Sequence, residues 1–486
     1  MNLLKSIVLS TCLLLGCSQG VQCQKILTIE LESSISQSIG QLLLITFGIN
    51  VELDNGVDVY RVTYETTGSD MMPDIASGLL ILPDNIEGAL PLLVYQHGTA
   101  DGRDDVPSNL RMGFQLATIF AGKGMAVIAP DYLGMGTSRG FHPYVHAETE
   151  ATAAIDMMDA SLAWMSENDI SWNEQVFITG YSQGGHAAMA LHQYIEEVMP
   201  ETYQVAASLP MSGPYSISGV MRDLAFTDEP YNFPAYLVYS SRALREINPS
   251  LYDDESQIFK DSFLPIIEPF TTTGNGLGAM NQAIVQTLIT EFGAAIPKQI
   301  FIDSFLNIIE NELDHPFNAA LRESDVFDWA PEAPVLMLYC PTDDQVPFRN
   351  SIIADSVMNL RGAVNTTSMD VSEGRNLDHF DCAIPALNTG IPWLLSFIKD
   401  TTTPTIAVLE SESTFIYPNP SDGLVFIDGL EEVELLEVYD ISGKRVVRQV
   451  VNNSSLQLDL QSLSDGMYLA HLYTEEGVII EKLILH

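Results

Sequence analysis

The sequence is poor in basic residues. It has 21 Lys and Arg against 64 Asp and Glu among its 486 residues, a formal net charge of −43. A surface of that sign repels phosphate backbones and anionic lipid headgroups, so a nucleic-acid partner is not expected. Strong acidity also favours solubility, which suits a protein that works outside the cell.

Long apolar runs are also scarce. Residues 7–15 follow Lys5 and form an apolar run too short to span a bilayer, but of the length found in secretory signal peptides. We therefore expect residues 1–20 to be a signal peptide. Small residues at 18–20 favour ordinary cleavage, and a lipobox-like sequence ending at Cys17 leaves lipid attachment as the alternative. No later segment predicts a transmembrane helix, so no stable membrane span is expected.

Cysteines are few. Of the five, two lie in or beside the predicted signal peptide, which leaves Cys23, Cys340 and Cys382. Export implies an oxidising compartment, in which two neighbouring cysteines form a disulfide.

What the sequence has instead is a regular alternation of apolar strands and helices. At 486 residues and 46% hydrophobic content, it predicts roughly two to three domains with large cores. Alternation at this spacing predicts an α/β fold, a mostly parallel sheet with helices on both faces. The predicted strands are residues 57–66, 78–82, 92–95, 125–129, 176–179, 205–209 and 335–339, and the clearest helices are residues 110–122 and 147–166.

The most informative stretch is residues 176–190, VFITGYSQGGHAAMA. A buried strand leads into Gly180-Tyr181-Ser182-Gln183-Gly184, a G-x-S-x-G pattern, and small residues that favour a close-packed helix follow. Such a strand-to-helix turn exposes the serine hydroxyl, and Gly180 and Gly184 are needed because side chains there would collide with the tight backbone. Ser182 is the predicted nucleophile; a Gly/Ser turn without chemistry is the alternative.

A serine nucleophile requires a base and an acid on later strand ends. Asp343 follows the strand at 335–339 and is the predicted acid, with Asp344 as the alternative. His379, in the loop between a strand-like TTSMDV and a predicted terminal helix at 392–398, is the predicted base. The chain order Ser, Asp, His is the one expected when a serine on a strand-to-helix turn meets an acid and a base on later strand ends of the same parallel sheet. His186 is the rival base, but a helix residue four positions beyond Ser182 would point away from it.

Other polar groups complete the predicted site. His142 and His146 line the pocket or serve packing, and the histidines lack the spacing of a metal site. The oxyanion should meet the backbone N–H groups of Gln183 and Thr99, with that of Gly98 as an alternative to Thr99. Cys340 precedes Asp343 by three residues and Cys382 follows His379 by three. We therefore predict a Cys340–Cys382 disulfide between the acid and base loops; two free buried cysteines are the alternative.

Two further regions depart from the strand and helix alternation. Residues 213–331 are helical and amphipathic, and we interpret them as a cap inserted over the sheet; a separate helical domain is the alternative. After a linker at 401–413, residues 414–486 show short alternating strands broken by turn residues, which predicts a small β-sandwich.

These motifs carry two resemblances. YQHGT, PDYLGMG, GYSQGG, DDQVP and DHFDC, spread over residues 57–400, resemble the α/β-hydrolase superfamily and, within it, the secretory lipase and esterase group. That resemblance implies a catalytic domain over residues 25–400 in which Ser182, Asp343 and His379 are nucleophile, acid and base. YPNPSDG, VYDISGK and LSDGMYL resemble the C-terminal sorting domain of the type IX secretion system of Bacteroidetes, which implies export across the outer membrane and removal of residues 414–486.

Together these observations predict a secreted or cell-surface serine carboxylic-ester hydrolase that needs no cofactor and no metal. Its partners would be a small-molecule or lipid ester and the type IX secretion machinery. A serine peptidase on the same fold and a non-catalytic surface protein that binds glycan or lipid are the alternatives.

Overall fold

The computed structural model describes residues 25–399 except residue 87, residues 408–409, and residues 415–486 apart from 431–432, 441–444, 452, 462 and 475–477. The chain divides into two compact units, residues 1–399 and residues 400–486. The predicted signal peptide, Cys17, Cys23 and all of the predicted linker except residues 408–409 lie outside the described residues.

The first unit is built on a nine-stranded sheet of order β1-β2-β3-β5-β4-β6-β7-β8-β9. The run from β5 to β9 is parallel, and β1, β2 and β3 extend it as antiparallel strands. The mostly parallel α/β sheet predicted from the sequence is thus confirmed. The strands are β1 Ile26–Ile35, β2 Val57–Thr67, β3 Pro73–Pro83, β4 Leu90–Gln96, β5 Ala126–Pro130, β6 Trp172–Tyr181, β7 Val205–Met211, β8 Val335–Tyr339 and β9 Thr366–Asp370.

Helices flank the sheet and fill the segment between β7 and β8. Around the sheet lie α1 Gln37–Phe47, α2 Phe114–Gly122, α3 Ala147–Glu167, α4 Gln183–Val198, α10 Arg349–Arg361 and α11 His379–Leu395. Between β7 and β8 lie α5 Ala235–Ile247, α6 Leu264–Thr273, α7 Leu277–Phe292, α8 Asp303–Asn311 and α9 Pro316–Glu323. None of the helices that the structure describes combines the length and the apolar character needed to cross a membrane.

The buried strands supply cores on both faces of the sheet. On β4, Leu93 packs in one core with residues of α2 and α11, while Leu92 and Val94 pack in the other with residues of α3 and α4. Successive side chains of a strand point to opposite faces, so an uninterrupted apolar run such as LPLLVY is what a strand covered on both faces needs. The helices between β7 and β8 share a separate apolar core that includes Phe259, Phe263 and Phe270.

Two elements differ from the predictions. Strand β1 was not predicted because most of its side chains are exposed, so it lacks the apolar alternation of a half-buried strand. His379 was predicted in a loop before a helix at 392–398, but it is the first residue of α11. Asp378 caps that helix by accepting the N–H of Asp381, and Pro385 and Pro392 lie within it, residues that ordinarily argue against a helix interior.

The second unit is an all-β domain. One sheet has the order β10-β17-β16-β13-β14 and the other β11-β12-β15, and both contribute to one apolar core. The strands are β10 Val408–Leu409, β11 Phe415–Tyr417, β12 Leu424–Asp428, β13 Val433–Asp440, β14 Arg445–Val450, β15 Ser455–Asp459, β16 Gly466–Thr474 and β17 Val478–Leu485. Strand β10 comes from the segment predicted as a linker and pairs in parallel with β17.

Candidate active site

Ser182 occupies the turn between β6 and α4. Its backbone has φ 62° and ψ −125°, a conformation that costs free energy for a residue with a side chain. The surrounding hydrogen bonds hold it there: the Ser182 N–H donates to Met211 O at 3.0 Å, and Ser182 O accepts the N–H of Gly185 at 2.8 Å. The serine is half-exposed, whereas most of β6 before it is buried. The turn therefore presents the hydroxyl at the edge of the sheet.

The glycines on either side of Ser182 are required by close backbone contacts. A Cβ atom at Gly180 would lie 2.2 Å from Gly184 O, and one at Gly184 would lie 2.1 Å from Gln96 O. Both separations are far below van der Waals contact. The G-x-S-x-G pattern here reflects the packing of the turn against β4.

Asp343, in the loop after β8, meets His379 at the start of α11. His379 Nδ1 lies 2.7 Å from Asp343 Oδ2, and both side chains are almost fully buried. The other oxygen of Asp343 accepts the backbone N–H groups of Gln345 and Val346 at 2.9 and 2.8 Å. Asp344, the alternative acid, instead accepts the backbone N–H of His379 at 3.2 Å. The geometry thus directs Asp343, and not Asp344, at the imidazole ring.

The contact of Asp343 with Nδ1 determines how the imidazole can work. A carboxylate accepts hydrogen bonds, so Nδ1 carries the proton in the neutral ring and Nε2 is left as the proton acceptor. The His379 backbone is held as well, because Tyr181 Oη donates to His379 O at 2.5 Å. A disulfide between Cys340 and Cys382, with Cα atoms 6.0 Å apart, links the end of β8 to the first turn of α11.

Ser182 and His379 border the same cleft. That cleft is also lined by Gly98 and Thr99. Ser182 and Gln183 further border a second, mostly apolar cavity among the helices between β7 and β8. Ser182 is thus accessible from two sides.

Of the two predicted oxyanion donors, Thr99 lines the cleft and Gln183 lines the second cavity. Within the described residues, the backbone N–H groups of Gln183 and Thr99 donate to no protein acceptor, so both are free to bind a ligand oxygen. Thr99 is anchored by its side chain, whose Oγ1 lies 3.0 Å from Tyr144 Oη. A Cβ atom at Gly98 would lie 3.3 Å from Tyr181 O, so this loop also passes close to β6.

The side chain of Gln183 belongs to a buried network that sequence reasoning missed. Its Nε2 lies 2.8 Å from Glu150 Oε1 and 2.8 Å from His142 Nε2. His142 Nδ1 faces Leu133 O at 2.8 Å, so Nδ1 donates and Nε2 accepts from Gln183. Burial lowers the pKa of His142 to about 3, which keeps the ring neutral and suited to that role. The amide of Gln183 is therefore locked in one orientation.

The other oxygen of Glu150 binds His186. His186 Nδ1 lies 2.7 Å from Glu150 Oε2, and Nε2 lies 2.8 Å from Ser324 O. Burial opposes protonation of His186, but the charge of Glu150 and the hydrogen bonds that the ring donates to Glu150 and Ser324 O outweigh it and raise its pKa. With an acceptor at each nitrogen, His186 is an imidazolium paired with Glu150, and its ring is not directed at Ser182.

His146 has a structural position. It caps α3 through its contact with Thr149, and burial lowers its pKa to about 4. Glu150 could not be identified from the sequence, because its partners Gln183 and His186 are 33 and 36 residues away. A lone acidic residue in a predicted helix is ordinarily solvent-exposed.

Comparison with known proteins supports the fold. The chain is similar to the rice cell wall degrading esterase LipA from Xanthomonas oryzae, with 26% identity, a TM-score of 0.68 and coverage of 76% of this chain and 98% of that chain. A protein from Legionella pneumophila at 24% identity has the same TM-score and covers 78% of this chain and 100% of its own. Lipase A from Candida antarctica, at 14% identity and a TM-score of 0.53, shares the fold over 73% of this chain and 77% of its own.

The sequence comparisons identify only the C-terminal part of the chain. No curated protein matches the chain in sequence. Residues 415–486 match the family described as secretion system C-terminal sorting domain. The chain therefore combines a domain of the α/β-hydrolase fold, similar to esterase and lipase structures, with a C-terminal sorting domain of the type IX secretion system.

Proposed function

We propose that this protein is a secreted serine hydrolase of carboxylic esters, with Ser182 as nucleophile, His379 as base and Asp343 as the acid that orients it. The observation that carries the proposal is the 2.7 Å contact between Asp343 and His379 at the cleft that Ser182 borders. The esterase and lipase structures that share the fold support the reaction class.

The mechanism follows from the hydrogen-bond polarity of the site. His379 Nε2 accepts the Ser182 Oγ proton as Oγ attacks the ester carbonyl carbon, and Asp343 stabilises the imidazolium that forms. The backbone N–H groups of Gln183 and Thr99 stabilise the oxyanion. His379 then donates its proton to the leaving alcohol oxygen, and water, deprotonated by the same nitrogen, hydrolyses the acyl-enzyme.

The shape of the site favours an apolar substrate. The cavity among the helices between β7 and β8 is lined by Phe301, Phe305 and Phe317 and reaches Ser182, so it suits the acyl chain. The cleft on the other side of Ser182 would take the alcohol. Residues 213–331 would then act as the cap that sets acyl-chain length.

Export is the second part of the proposal. The sorting domain at residues 415–486 implies delivery through the type IX secretion system to the cell surface or the medium. Residues 1–20 would serve as the signal peptide for the first membrane crossing, residues 25–400 as the catalytic domain and residues 401–413 as the linker at which the sorting domain is released.

Hydrolysis of p-nitrophenyl esters from acetate to palmitate by the wild type and by Ser182→Ala tests the activity. We expect turnover by the wild type, with a preferred chain length that reports the size of the acyl cavity, and none above background by the variant. Folded wild type that cleaves peptides but no ester would establish the peptidase alternative. Folded wild type that cleaves neither would leave the binding alternative.

A further inference from the structure

Helix α1 presents large apolar side chains to solvent. Ile39, Leu42 and Ile45 are 57, 62 and 66% exposed, and Phe47 is 51% exposed. The other side of the helix is well anchored: Leu44 is buried in the core, and the side chain of Gln41 bonds the backbone of residues 51 and 53. The exposed row is therefore a defined surface on a fixed helix, which we call the α1 face: Ile39, Leu42, Ile45 and Phe47.

The segment that carries the α1 face is unusual for this protein. Charged residues make up 17% of the chain, yet residues 33–51 contain none. A helix without charge that exposes apolar side chains, in a protein with a net charge of −43, favours an apolar, uncharged partner. A second copy of the chain fits poorly, because association would bring two strongly negative molecules together.

The α1 face is continuous with the cleft at Ser182. Leu43, Leu44 and Phe47 of α1 line the same cleft as Ser182 and His379. Phe380, which follows His379 and is 73% exposed, also borders it. An apolar phase bound to the α1 face would thus meet the mouth of the cleft directly.

We propose that the α1 face docks the protein onto the surface of aggregated, uncharged ester, from which single molecules enter the cleft toward Ser182. This inference rests on the proposed function and specifies its substrate as an ester presented in an apolar phase. Burial of exposed apolar side chains drives the docking. The absence of charge in residues 33–51 avoids the desolvation of ionised groups that docking would otherwise require.

The test uses the full chain with Leu42→Gln and Ile45→Gln together. Neither residue lines the cleft, and glutamine keeps a high helix propensity. The matched control carries Leu360→Gln and Val364→Gln, which replace two side chains that are 88 and 79% exposed on another surface. Each pair is also made in a Ser182→Ala background, so that binding is measured without hydrolysis.

The first measurement is adsorption to triolein droplets of known surface area. We expect the α1 variant to bind about tenfold less tightly than the wild type, and the control to bind within about twofold of the wild type. The second is turnover with Ser182 intact: the wild type, the α1 variant and the control should hydrolyse p-nitrophenyl acetate in solution equally, and only the α1 variant should hydrolyse emulsified tributyrin more slowly. Equal adsorption of the α1 variant and the wild type would overturn the proposal. So would a wild-type dimer that the α1 substitutions dissociate, because the α1 face would then be an interface between copies.

The two proposals fail in different ways. Adsorption that depends on the α1 face, with no hydrolysis of any ester by the wild type, would support docking and refute the esterase activity. If the wild type hydrolyses soluble esters but the α1 substitutions leave adsorption unchanged, the result would support the esterase activity and refute docking through the α1 face.

Discussion

Replacing Glu150 by glutamine keeps the shape of a buried side chain but removes its charge and one acceptor. Glu150 accepts from Gln183 through one oxygen and from His186 through the other. An amide can place its oxygen toward His186, but its NH₂ group then faces the NH₂ group of Gln183. Gln183 cannot turn over, because its oxygen would face His142 Nε2, which is itself an acceptor. One buried donor is therefore left without a partner for as long as His186 stays protonated.

The structure sets the size and the pH dependence of the effect. A buried polar group without a partner costs about 1–3 kcal/mol of the free energy of unfolding. Loss of the Glu150 charge also removes the largest of the influences that raise the pKa of His186, so burial then favours the neutral ring, whose Nδ1 can accept from the new amide. In the wild type, the raised pKa of His186 stabilises the folded state fully at pH values below the pKa of the unfolded state, about 6.5. That stabilisation is lost as the pH rises through the pKa of the folded state.

Urea unfolding of the wild type and of Glu150→Gln, at about pH 5.5 and about pH 8.5, measures this difference. We expect the variant to be less stable by about 1–3 kcal/mol or more at the lower pH, and by less at the higher pH. Glu148→Gln, an exposed position on the same helix, is the control and should change stability little. A variant as stable as the wild type, or a difference that grows with pH, would refute the assignment of His186 as an imidazolium.

Three further substitutions test the site. Gly184→Ala, whose Cβ would lie 2.1 Å from Gln96 O, should lower the free energy of unfolding by about 3 kcal/mol or more; a urea midpoint like that of the wild type would contradict the turn geometry. Cys340→Ser removes a covalent link between positions 42 residues apart and should lower the free energy of unfolding by about 4 kcal/mol. A thermal midpoint that neither the substitution nor added reductant changes would count against the disulfide. Asp343→Asn should lower kcat about 10⁴-fold with little change in KM, because an amide does not hold the required imidazole tautomer, and a loss below about tenfold would exclude the proposed role.

Most of the correct sequence-based predictions about the fold came from patterns of neighbouring residues. The strand, glycine and serine pattern at 176–190 predicts the turn at Ser182 because every requirement is met by residues next to one another. The proposed acid and base were assigned by a topological argument, since residues after parallel strands gather at one edge of the sheet. The disulfide prediction used the same reasoning, because it required only that the loops of Asp343 and His379 meet.

What remained hidden depends on contacts that are distant in sequence. The role of Glu150 comes from Gln183 and His186, which α4 brings beside α3. The start of α11 is the exception, because its cause is local: Asp378 caps the helix, but the prolines inside it weaken the pattern that would reveal it. Strand β1 owes its place to pairing with β2, since its own side chains are mostly exposed.

The most direct test of the proposed chemistry is covalent labelling with a fluorophosphonate, followed by mass spectrometry of the proteolysed chain. The account predicts one adduct per wild-type chain, on the peptide that contains Ser182, no adduct in Ser182→Ala, and labelling slowed by at least about 10³-fold in His379→Ala. A folded wild-type protein that is not labelled, or an adduct on another residue, would contradict the assignment of Ser182 as the nucleophile.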